Sequence, residues 1–131
     1  MPESALGRWL RAMRDARDLS LRDVAQRSGV DHAYIYRLET GAKESPSDDV
    51  IDKLTTALGS APRDVEILKF LALNTNVDPA LAEFAVKDPT ITSGQFQMLT
   101  TVVNRGAKAD YATSLGRIRR FMEEDENEDD G

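Results

Sequence analysis

Apolar residues recur every three to four positions along almost the whole chain, and no stretch alternates apolar and polar as a half-buried strand would. Leu6, Leu10 and Met13, with Trp9 beside them, predict a first helix from Ser4 to Ala16 whose other face carries arginines. Ser20, followed three residues later by Asp23, forms a capping box that starts a second helix. Val24 and Ala25 point inward there, and Gly29 ends it in the left-handed conformation that glycine adopts cheaply. Asp31 caps a third helix, with Val30 before the cap stapled to Ile35 inside it. Ile35 and Leu38 form its buried side, and Gly41 stops it. A fourth helix starts at Ser47, places Asp48 and Asp49 in its electropositive first turn, buries Val50, Ile51, Leu54 and Leu58, and ends at Gly59.

The fifth predicted helix, Pro62 to Leu73, is apolar most of the way round and so needs partners on two sides. Residues 74–78 read as a boundary. Three shorter helices follow, over about 79–86, 93–104 and 108–122, with Pro89 and Gly106 at the joints. Their stripes are Leu81/Phe84/Ala85, Phe96/Leu99/Val102/Val103 and Tyr111/Leu115/Ile118/Met122. The predicted fold class is all-α. It divides into an N-terminal domain over 1–61, a small helical domain over 62–122, and an acidic tail over 123–131 with no regular structure. A fragment ending near Ser60 is expected to fold alone.

Charge changes this picture only when it is divided. The net charge of -6 has the wrong sign for a nucleic-acid binder. Yet residues 1–43 carry eight Lys and Arg against six Asp and Glu, and seven acids crowd into the last nine residues. The local patch is what phosphates meet, and it consists of Arg8, Arg11, Arg14, Arg17, Arg22, Arg27, Arg37 and Lys43. There is no cysteine, which excludes disulfides, thiolate metal sites and a Cys nucleophile. The start of the chain lacks the apolar core of a signal peptide, and no apolar run is long enough to span a membrane. A cytoplasmic location, associated with the nucleoid, is the expectation.

Residues 20–41, SLRDVAQRSGVDHAYIYRLETG, form two short helices meeting at a tight turn. A helix-turn-helix needs a small residue where the helices cross, a turn glycine, and apolar residues after the turn. Ala25, Gly29, Val30, Ile35 and Leu38 satisfy all of these in register. Residues 32, 33, 36 and 37 share one side of the third helix, opposite Ile35 and Leu38.

The stretch from Leu6 to Leu58 resembles the Cro/C1-type, or XRE, helix-turn-helix family of phage repressors and bacterial regulators. The resemblance implies a lambda-repressor-like domain of four to five helices whose third helix lies in the major groove of an operator. Carried onto this sequence, it gives His32, Ala33, Tyr36 and Arg37 as base-reading residues, with Tyr34 flanking them. Arg37 can fork onto guanine O6 and N7, and Ala33 can touch a thymine methyl. The resemblance also implies backbone contacts from the amides of Leu21 and Arg22, from Arg22 itself and from Lys43, at a helix N-terminus that favours anions. The family often has Gln where this chain has Leu21, whose side chain can touch neither phosphate nor base. Arg14 and Glu39 match a family ion pair that ties the first helix to the end of the third.

Blander readings stand beside these. Arg37 could clamp a phosphate or sit solvated, Tyr34 and Tyr36 could pack sideways, Trp9 reads as core, and the acidic end reads as solubilising. No phosphate-cradling glycine loop or metal-ligand cluster is present, and His32 is the only histidine, so no enzyme, metal or cofactor is expected. Specific regulators usually pair two half-sites. The segment from Leu81 to Val103 and the helix after it faintly resemble the dimerisation domain of repressors controlled by a partner metallopeptidase. A C2 homodimer is therefore expected, held by Leu68, Leu71, Phe96, Leu99, Val103, Leu115 and Ile118. A toxin partner, or a role in protein docking with no operator, are the alternatives.

Overall fold

Most ends of the first four helices are set by chemistry that the sequence supplies. The computed structural model describes residues 3–43, 45–102 and 110–129. Helices α1 (Ala5–Ala16), α2 (Leu21–Ser28), α3 (His32–Thr40) and α4 (Asp48–Leu58) lead into α5 (Pro62–Leu73), α6 (Pro79–Val86), α7 (Ser93–Leu99) and α8 (Tyr111–Asp129), and no strand occurs among the described residues. The chain is all-α. The Ser4 hydroxyl accepts from the Gly7 amide and that of Ser47 from Val50. The Ser20/Asp23 capping box closes in both directions. Gly29, Gly41 and Gly59 all sit at positive φ just past their helices, where glycine lacks the Cβ that opposes this conformation.

Asp31 departs from expectation. It occupies the N-cap position of α3 but makes no side-chain capping bond. Its carboxylate lies 3.7 Å from Nδ1 of His32 instead.

Two later helices have other bounds than predicted. α7 stops at Leu99, five residues early, because the hydroxyls of Thr100 and Thr101 donate back to the carbonyls of Gln97 and Met98 at 2.6 and 2.7 Å. Such local bonds compete with helix propagation. α8 begins at Tyr111 because Asp110 takes the Thr113 amide at 3.0 Å, an N-cap the apolar pattern did not reveal. It then runs past Met122 into the acidic end, where glutamate is a good helix former.

The buried residues form one cluster drawn from every helix. Trp9 is fully buried, with its ring edge-on to Phe96 at 5.7 Å between centroids, and Phe96 in turn meets Phe70 at 6.2 Å. α1 is covered by α3 on one side and by α5 and α6 on another. Residues 74–78 are thus a turn between helices that share a core. A fragment ending at Ser60 would leave Trp9 without Phe96, so the expectation that it folds alone is not supported.

The expected dimer contacts need correction. Leu68, Leu71, Phe96, Leu99, Leu115 and Ile118 are all buried within one chain. Their stripes meet one another and α1, so their apolar area is already removed from water. Val103 lies outside the described residues.

Candidate nucleic-acid interface

α2 and α3 are held at their angle by a turn with little freedom. The Gly29 amide returns to the Ala25 carbonyl at 2.9 Å, and the Val30 amide donates to the Ser28 hydroxyl at 3.1 Å. Val24, Ile35 and Leu38 are buried, and Ala25 and Val30 pack on the same core. Fixing the inner face of α3 fixes its outer face. There His32, Ala33, Tyr36 and Arg37 are all exposed, Tyr36 by 50 %.

Tyr34 lies differently: it is half-buried against the core, so its ring supports the helix more than it presents a surface. Leu21 is half-buried in the same way, consistent with an apolar side chain that has no use for a phosphate.

The amides around that helix start are better placed for an anion. The capping box occupies the amides of Ser20 and Asp23, at 2.9 and 3.0 Å. Those of Leu21 and Arg22 are left as first-turn donors at the positive end of α2. The bonds that Asp23 accepts from Ser20 hold its carboxyl below the usual range, so it stays ionised within the box. Arg22 and Arg37 are exposed and enter no ion pair among the described residues. The Lys43 amide donates to the Arg37 carbonyl at 3.0 Å, which seats Lys43 beside the last turn of α3. Arg37 and Lys43 thus lie at the C-terminal end of α3, and Arg22 in the first turn of α2.

Arg14 and Glu39 meet as a fork. Nε and Nη2 of Arg14 donate to the two Glu39 oxygens at 2.8 and 2.9 Å, and Nη1 donates to the Leu19 carbonyl at 2.9 Å. The Glu39 bond raises the pKa of the guanidinium further. The pair fastens α1 and the loop after it to the C-terminal turn of α3.

Two residues that sequence reasoning missed complete this support. Gly7 lets α1 lie flush on the end of α3: a Cβ there would come within 2.5 Å of the Leu38 carbonyl oxygen and 2.6 Å of that of Glu39. A glycine inside a helical pattern was the available signal. Arg63 stacks over the Trp9 ring, 5.2 Å from its centroid. Its Nη1 donates to the carbonyls of Ala85, Asp88 and Ile91 at 3.0, 3.0 and 3.1 Å. It ties the end of α6 and the loop beyond to the start of α5, and nothing local in the sequence signals so distant a set of partners.

Residues 5–68 match the family model described as a helix-turn-helix domain. The chain is 28 % identical over 96 residues to uncharacterized HTH-type transcriptional regulators from two strains of Mycobacterium tuberculosis, a match that covers 73 % of this chain and 67 % of each relative. No helix among the described residues is long and apolar enough to cross a membrane.

Proposed function

We propose that this chain, a DNA-binding regulator with an XRE-like helix-turn-helix domain over residues 5–68, is a repressor that binds a palindromic operator as a homodimer in the cytoplasm. α3 enters the major groove and reads bases through His32, Ala33, Tyr36 and Arg37. The α2 start, with the Leu21 and Arg22 amides and the Arg22 side chain, grips phosphate on one side, and Lys43 does so on the other. The observation that carries this reading is the exposed face of α3, with Ala33, Tyr36 and Arg37 set opposite the buried Ile35 and Leu38. A surface tyrosine and arginine on a rigidly seated helix suit base edges, while the phosphate contacts set position and register.

Selection of bound sites from random DNA tests it, and should return two half-sites about one helical turn apart. On that operator, Arg37→Ala should cost about 1–3 kcal/mol and relax the preference at one base pair. Lys43→Ala should weaken all sequences alike and reduce the salt dependence by about one counterion. Recovery of no preferred site would leave the protein-docking reading in its place.

A further inference from the structure

With the expected contact residues buried inside the chain, a dimer needs another surface, and α8 carries one. Tyr111, Leu115 and Ile118 are buried against the core, and Met122 packs beside them. Away from that stripe, Thr113, Arg117, Arg120, Phe121 and Glu124 are all exposed, and helical register puts them within an arc of about 100°, with Phe121 at the edge nearest the buried stripe. Phe121 is 60 % exposed, one of three large apolar side chains left so among the described residues. The charge of this face changes sign at Phe121: Arg117 and Arg120 precede it, Glu124 follows, and the sequence stays acidic through Asp130. Acids at a helix C-terminus oppose the helix dipole, so this end of α8 gains from cations supplied by another chain.

We propose that α8 pairs antiparallel with α8 of a second copy, Phe121 meeting Phe121 on the two-fold axis. Arg117 of each chain then lies against Glu124 of the other. A two-fold contact uses the same patch on both partners, so the patch must complement itself. A face with an apolar centre and opposite charges at its two ends does this only when antiparallel; in a parallel pair like charges would meet. Leu73 is exposed too, by 86 %, but the residues that follow it, Asn74, Thr75 and Asn76, are uncharged and give a partner no polarity to match. This inference rests on the dimer reading above and gives it a surface.

The test uses the full chain and charge reversal. Arg117→Glu and Glu124→Lys, each alone, place like charges opposite one another twice per dimer; each should raise the dimer dissociation constant about tenfold or more in sedimentation velocity. An equimolar mixture of the two variants pairs Glu with Lys and Arg with Glu, and should return to wild-type association. Circular dichroism should show both variants folded, since both side chains are exposed. Because the native chain has no cysteine, Phe121→Cys adds an independent readout. It should form a disulfide-linked dimer under mild oxidation, and Leu73→Cys should not. A wild-type dimer unaffected by either reversal, with no cross-link at position 121, would overturn the α8 surface and leave the dimer reading intact. A wild-type monomer at high micromolar concentration would overturn both.

Discussion

Arg14 holds Glu39 by both carboxylate oxygens at 2.8 and 2.9 Å, and no other ion pair among the described residues joins α1 to the end of α3. The side chains keep only 17 % and 6 % of their exposure, and Arg14 also satisfies the Leu19 carbonyl. Replacing one partner leaves the other as a largely buried charge. Arg14→Ala or Glu39→Ala should therefore cost about 3 kcal/mol, the lower end of the range for buried pairs, because Arg14 retains some contact with water. A double-mutant cycle in urea should show a coupling of about 0.5–3 kcal/mol; simple additivity would remove the pair from the account of stability.

Gly7→Ala should destabilise the protein although alanine is the better helix former by about 1 kcal/mol. The added methyl meets backbone carbonyls of α3, which cannot swing aside as a flexible side chain can. A net loss of about 1–3 kcal/mol is expected, as in other overpacked contacts. Operator affinity should fall as well, because α1 can relieve the clash only by moving off α3. Unchanged urea and DNA titrations would show that the two helices are not held at this distance.

Arg63→Met should loosen the join between α5 and α6. It keeps an unbranched stem on Trp9 but abandons the carbonyls of Ala85, Asp88 and Ile91. The Ala85 and Asp88 carbonyls keep the backbone amides of Asp88 and Ile91, each at 3.2 Å, so among the described residues only the Ile91 carbonyl is orphaned, and a cost of about 1–3 kcal/mol is expected. Amide hydrogen exchange should speed up first in α6 and the loop that follows it.

Tyr111 should titrate late. Burial, and then its 2.7 Å hydrogen bond to Asp78, push the phenol up to about 12, against an ordinary tyrosine value near 10. The folded state thus holds this proton more tightly than the unfolded chain does. Its contribution to stability is complete below pH ~10 and is lost as pH rises through about 12. Ultraviolet titration should show a late tyrosinate step, and Tyr111→Phe should abolish it. A difference between wild type and variant that titrates near 10 instead of late would place the Tyr111 hydroxyl in water.

The sequence by itself determined the local pieces. Caps and stop signals act within a few residues of where they are written, so Ser20 with Asp23, Ser47, and glycines 29, 41 and 59 set the ends of α2, α3 and α4 without help from the rest of the chain. The period of the apolar residues likewise fixed which side of α3 turns inward, and with it the exposure of His32, Ala33, Tyr36 and Arg37. What an apolar stripe cannot state is which surface covers it. Burial is non-directional, so the stripes of Leu68, Phe96, Leu99, Leu115 and Ile118 suited a partner chain as well as their own, and only the packed structure turned them onto Trp9 and one another. The same holds for contacts that depend on shape at long sequence separation. Gly7 against the end of α3, and Arg63 reaching three carbonyls more than twenty residues away, exist only once the helices are in place.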